Sequence, residues 1–165
     1  MTQLATALAD PAAPPPAAAP SSISTRFGML ALDPARLITL PAGLLGFADC
    51  QRFALADLPE PQGPFKLLQS VDEPELAFLV LPIDPNADLI AHGDLELACQ
   101  VLGIGWPALA VLALVTIRPE AEGVHFSINL KAPLLIDTGR QTGCQHVFAG
   151  EAYPLRYDLP HARAA

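Results

Sequence analysis

Proline and glycine break this chain so often that it cannot fold as a helical bundle. Proline occurs 18 times and glycine 11 times in 165 residues. A proline inside a helix removes a backbone donor and clashes with the preceding turn. Between the breaks lie apolar runs of four to eight residues, and short runs bounded by turn residues read as strands. FGML (27–30), ARLITL (35–40, ended by Pro41), the segment around 51–55 and residues 65–69 read this way. LAFLVLPI is a nearly unbroken apolar run, expected as a buried central strand with Pro82 at its end, since proline lacks the ladder donor. DLELACQV alternates in a manner that fits a strand, Asp94 and Glu96 outward, Leu95 and Leu97 inward. Residues 102–105 offer room for one short helical turn.

In ALAVLALVTIRP the β-branched end and Pro119 favour a strand over about 111–117, with a helix as the other option. VHFSINLKAPLLID is two short strands or one bent strand broken at Pro133. DTGRQTG is a turn, QHVFAG a further strand, and EAYPLRYDLP a last strand or extended arm. The pattern predicts a mostly β chain: a small compact antiparallel β-barrel-like or sandwich domain with one or two short helices. Residues 1–25, with their Pro/Ala run, read as a disordered tail. Residues 26–160 form the single β-rich domain, and 161–165 the C-terminal end. Roughly 140 residues are ample for a core without staples.

The charge balance is −8, with Lys+Arg 9 against Asp+Glu 17. That argues against direct nucleic-acid binding, which basic groups drive by displacing counterions. Cys50, Cys99 and Cys144 are far apart and odd in number, so neither a disulfide framework nor a C-x-x-C metal or redox pair is present. The N-terminus lacks the basic and apolar regions of a signal peptide. Residues 97–117 carry no charge and are long enough to span a bilayer. Gln100, the GIGWP cluster and the lack of a basic flank favour instead a short segment, a turn and a buried strand. A cytoplasmic location with no membrane partner is the expectation.

Chemistry is sparse. No phosphate loop is present, and the spacing of Gly103 and Gly105 is only half of a dinucleotide fingerprint, without βαβ context. Cys144 and His146 would share a strand face, which suits a thiol or metal pair, but no third member accompanies them. His92, Asp94 and Glu96 alternate and would project from one strand face toward a cation, a pattern indistinguishable from the wet side of any half-buried strand. Asp72, Glu73 and Glu75 sit in a proline-bearing turn, where solvated acids are common. No catalytic residue, metal ligand or cofactor is assigned. Between residues 57 and 96, however, nine acids face one base, Lys66, so this quarter of the chain carries the whole net charge. Such a segment is either an acidic rim that steers a basic partner or a set of solubilising turns.

Several pieces together resemble the flagellar assembly factor FliW family. They are LPAGLLGF (40–47), Phe53, PFKLLQS (64–70), DEPELAFLV (72–80), residues 111–117, NLKAPL (129–134), Gln145 and YPLR (153–156), covering about 26–157. The resemblance implies a small non-enzymatic cytoplasmic protein that binds flagellin and the RNA-binding translational repressor CsrA. Flagellin would compete for it, coupling flagellin synthesis to secretion. The alternatives are a small metal- or thiol-dependent enzyme and a β-domain with no regulatory partner. GIGWPAL, residues 84–92 and Cys144 depart from the family pattern. Gly43 and Gly46 suit backbone conformations barred to other residues or a close approach, and Phe47, Phe65 and Phe78 read as core. Interface candidates are Gln69, Ser70, Asp72, Glu73, Glu75, Asn129 and Lys131. Asn129 either faces outward or staples a turn.

Overall fold

Strand β7 organises the molecule because both faces of its first half are covered. In the computed structural model, which describes residues 22–58 and 63–160, the strands are β1 (Ser22–Thr25), β2 (Gly28–Ala31), β3 (Leu37–Thr39), β4 (Arg52–Asp57), β5 (Lys66–Ser70) and β6 (Ala77–Ile83). Helix α1 (His92–Leu102) follows, then β7 (Leu109–Glu120), β8 (Gly123–Ile128), β9 (Leu134–Asp137), β10 (Thr142–Gln145) and β11 (Tyr157–Asp158). Strands β3 to β7 pair antiparallel in chain order. The first half of β7 also pairs with β9, and β9 with β10. Strand β10 meets β3 through one parallel pair, Thr142 with Thr39. The sheet is thereby a ring, mostly antiparallel as expected, but its single-pair seam keeps it from being a regular barrel. The second half of β7 leaves the ring to pair with β8, which β11 flanks.

Alternation along β7 sends its side chains to two different cores. Leu112 points into the ring with Phe53, Leu68, Val80, Leu134 and Ile136. Val111 and Ala113 point outward to a second cluster, completed by Leu95, Ala98 and Cys99 of α1. This explains why ALAVLALV is apolar without interruption. A smaller cluster sets Ile23 and Leu32 over Ala54 and Val71.

The strand expected at DLELACQV is corrected: these residues lie in α1. Leu95, Ala98, Cys99 and Leu102 recur at helical spacing and cover the outer face of the ring. Leu97, expected inward, is therefore exposed. The 97–117 run is split between α1 and β7 around a single 3₁₀ turn at Trp106–Ala108, and among the described residues no helix is long and apolar enough to cross a membrane. The two-strand option for 124–137 is the one adopted, with the break at Asn129 to Pro133. The strand placed at QHVFAG lies earlier, in β10, because after Gln145 the chain leaves β9 and drives Phe148 into the outer cluster.

Of the three phenylalanines expected in the core, Phe78 packs against the ring cluster, whereas Phe47 and Phe65 do not join a buried cluster. Phe47 is 40% exposed, Phe78 is half-buried under its edge, and half-buried Phe65 stacks on Phe126. Strand β1 begins at Ser22, within the stretch read as tail, and pairs along its length with β2. The Pro/Ala run and residues 161–165 lie outside the described residues.

Candidate protein-binding surface

One end of the ring gathers the β3–β4 loop (residues 40–50) and the β5–β6 turn (residues 71–76). The turn is built from inside. The Gln69 side-chain amide donates to the carbonyls of Ser70, Pro74 and Leu76 at 3.0, 2.8 and 3.0 Å. Ser70 Oγ accepts the Glu73 N–H at 2.9 Å. Both residues are 0% exposed, which corrects the expectation that they present polar groups to a partner. Their polarity is consumed in satisfying a turn that the ring buries, as buried polar groups must be. Gln69 Oε1 has no partner among the described residues.

Asp72 sutures the turn to β4. Its carboxylate accepts the backbone N–H groups of Gln51 and Arg52, both at 2.8 Å, and pairs with the Arg52 guanidinium at 2.9 Å. Burial pushes its pKa up, but the hydrogen bonds from Arg52 and Gln51 outweigh that and hold it below the ordinary 3.8. Glu73 and Glu75 remain at the surface on the same turn, with no ion pair among the described residues. Asn129 staples the β8–β9 connection by accepting the Ala132 N–H at 2.9 Å. Lys131 is half-buried and its ammonium donates to the Gly150 carbonyl. No hydrogen bond or ion pair joins either residue to the acidic turn among the described residues.

The β3–β4 loop is equally tied down. Gly43 has φ +66°, and a Cβ there would lie 2.4 Å from the Phe47 carbonyl oxygen, so only glycine fits. Leu44 is buried and exchanges backbone hydrogen bonds with Phe47. The Leu45 N–H donates to Gln145 Oε1 at 2.9 Å, while Gln145 Nε2 donates to the Ala132 carbonyl at 3.1 Å. Gln51 Nε2 reaches the Pro41 carbonyl at 2.9 Å. On this fixed backbone Leu45 is 64% exposed, and the Phe47 ring meets Phe78 edge-on at 5.3 Å.

The acidic segment does not form one rim. Asp57, paired with Arg36 and Lys66, lies at the opposite end of β4 and β5 from Asp72. Asp84 and Asp88 follow the far end of β6, and Glu60 lies outside the described residues. The candidate chemistry also separates. On α1, His92 meets Glu96 at 3.2 Å and rests on Trp106, whereas Asp94 accepts the Tyr153 hydroxyl. Burial pushes the Cys144 thiol up and the His146 imidazole down, favouring the neutral forms of both, the reverse of an activated thiolate pair. Among the described residues no three His, Cys, Asp or Glu side chains are grouped to hold a metal.

A model of the FliW protein family matches residues 21–159, almost the entire described chain. The chain belongs to the FliW family. Similar proteins include the flagellar assembly factor FliW of Geotalea uraniireducens, 35% identical over 135 residues that make up 81% of this chain and 80% of the relative. That of Natranaerobius thermophilus is 31% identical over 145 residues, 82% and 89% of the two chains. A crystal structure of the flagellar assembly factor FliW shares the fold, with a TM-score of 0.65 at 23% identity over 86% of this chain and 99% of that one. At this end of the ring, sequence reasoning did not single out Leu45 as an exposed apolar side chain and took Phe47 for core. The paired glycines of LPAGLLGF were the available signal, since a loop whose backbone is so constrained can hold apolar side chains out in water.

Proposed function

We propose that this chain is a non-enzymatic, cytoplasmic flagellar assembly factor that binds flagellin and antagonises the translational regulator CsrA. Flagellin that accumulates before export occupies it and frees the regulator; exported flagellin releases it to bind the regulator again. The reading rests on one observation, the family match across residues 21–159 together with relatives named flagellar assembly factors. The ordered acidic turn supports it, because Glu73 and Glu75 are the candidates that stay at the surface without internal work. Asp72, by contrast, belongs to the scaffold, so its removal tests stability rather than binding.

Calorimetric titration with flagellin and, separately, with CsrA from the same cell tests the proposal. Saturable binding to each is expected, with flagellin displacing the regulator in competition. Binding to neither partner would refute it.

A further inference from the structure

Away from the acidic turn, the start of α1 and the segment leading into β11 enclose an open-sided cavity of about 570 Å³. That volume lies within the range of small-ligand sites. Leu130 and Pro154 give the cavity apolar surface, Tyr153 and Tyr157 two aromatic rings, and Asp88 and Asp94 two carboxylates. Among the described residues no lysine, arginine or histidine lines it. The Tyr153 ring is fixed in place. Its hydroxyl accepts the Ala91 N–H at 3.0 Å and donates to Asp94, and the ring packs on Phe148 with centroids 4.9 Å apart. Burial and the bond to Asp94 push the phenol pKa up, so Tyr153 remains a neutral donor and brings Asp94 no positive charge. Asp88 forms no ion pair or side-chain hydrogen bond among the described residues. The ammonium of Lys131, next to Leu130 in the chain, is spent on the Gly150 carbonyl.

This lining selects among classes of ligand. An anion would meet two like charges. A hard metal ion takes six or more oxygen ligands, whereas no three His, Cys, Asp or Glu side chains are grouped among the described residues. A chain of methylenes carrying separated ammonium groups suits every part of the surface. Carboxylates attract the charges, tyrosine faces add cation–π attraction, and apolar side chains cover the methylenes. We propose that the cavity between α1 and β11 binds an aliphatic polyamine, with Asp88 and Asp94 taking ammonium groups and Tyr153 and Tyr157 flanking the carbon chain. The site is separate from the acidic turn and goes beyond the function proposed above.

Titration with spermidine, followed by NMR of the tyrosine ring protons and the backbone amides, tests the site. It uses the full chain and the variants D88N, Y157L and E122Q, the last removing one surface charge from the β7–β8 turn. Asp94 is left intact because it holds Tyr153. Saturable shifts confined to the cavity residues are expected in the wild-type chain and in E122Q. Y157L should bind about two- to fivefold more weakly, and D88N should lose affinity by a factor that shrinks as salt rises. Amide shifts away from the substituted residue confirm that each variant is folded. Because a net charge of −8 attracts any polycation, location decides the outcome. Shifts spread over the acidic surface, wild-type affinity in both D88N and Y157L, or the same tyrosine shifts produced by magnesium ion would each overturn the proposal. So would the absence of saturable spermidine binding by the wild-type chain.

Discussion

A single carboxylate joins β4 to the acidic turn. Asp72 receives two backbone N–H groups and a guanidinium, and its folded pKa lies below the ordinary value of 3.8. The stabilisation it supplies is therefore complete above that ordinary value and is lost as pH falls through it toward the lower folded value. D72N is expected to cost about 1–3 kcal/mol at pH 7, with the gap to wild type narrowing below about pH 4. Urea denaturation at neutral pH and again below the folded pKa checks this; a gap independent of pH would mean that the charge contributes nothing. Asp72, Gln69 and Ser70 also mark how far the site was legible. In sequence, a polar residue beside a turn reads alike whether it serves the turn or a partner. Only its surroundings separate the two, and here these three candidates are spent on the turn.

At the scale of elements, most strands were readable because their length and period are local properties. The failure at α1 has a definite cause. DLELACQV satisfies a period of two and, with Leu102 added, a helical period as well. The outer face of β7 decides between them, since Val111 and Ala113 need a broad apolar cover that one helix stripe provides. Ring closure was equally illegible, because the β3–β10 seam depends on Gln141. This residue adopts φ 53°, accepts the Thr39 N–H through its carbonyl at 2.9 Å, and donates its side-chain amide to Pro34 and Leu37. Loss of those side-chain bonds in Q141A should cost about 1–2 kcal/mol and speed hydrogen exchange at the Thr39 amide. Unchanged protection there would show that the backbone pairing closes the seam unaided.

Across the whole molecule, β7 makes one cooperative unit of two cores. Leu112 fills the ring and Leu95 fills the space beneath α1, both almost wholly buried. Truncating either leaves a cavity on one side of the same strand. L112A and L95A should each cost about 2–5 kcal/mol. In both variants far-UV circular dichroism and the fluorescence of Trp106, which packs beside α1, should report one coincident transition. Separate transitions would mean that the helix layer melts independently of the ring.

Strand content and family were written in the linear sequence: run lengths, turn residues and an ordered set of motifs are all local or additive along the chain. Tertiary structure alone decided the closure of the ring, the helical state of residues 92–102 and which polar side chains of the candidate set reach solvent. Each of these turns on burial. Burial is fixed by the elements packed above and below a residue, and those elements lie far away along the chain.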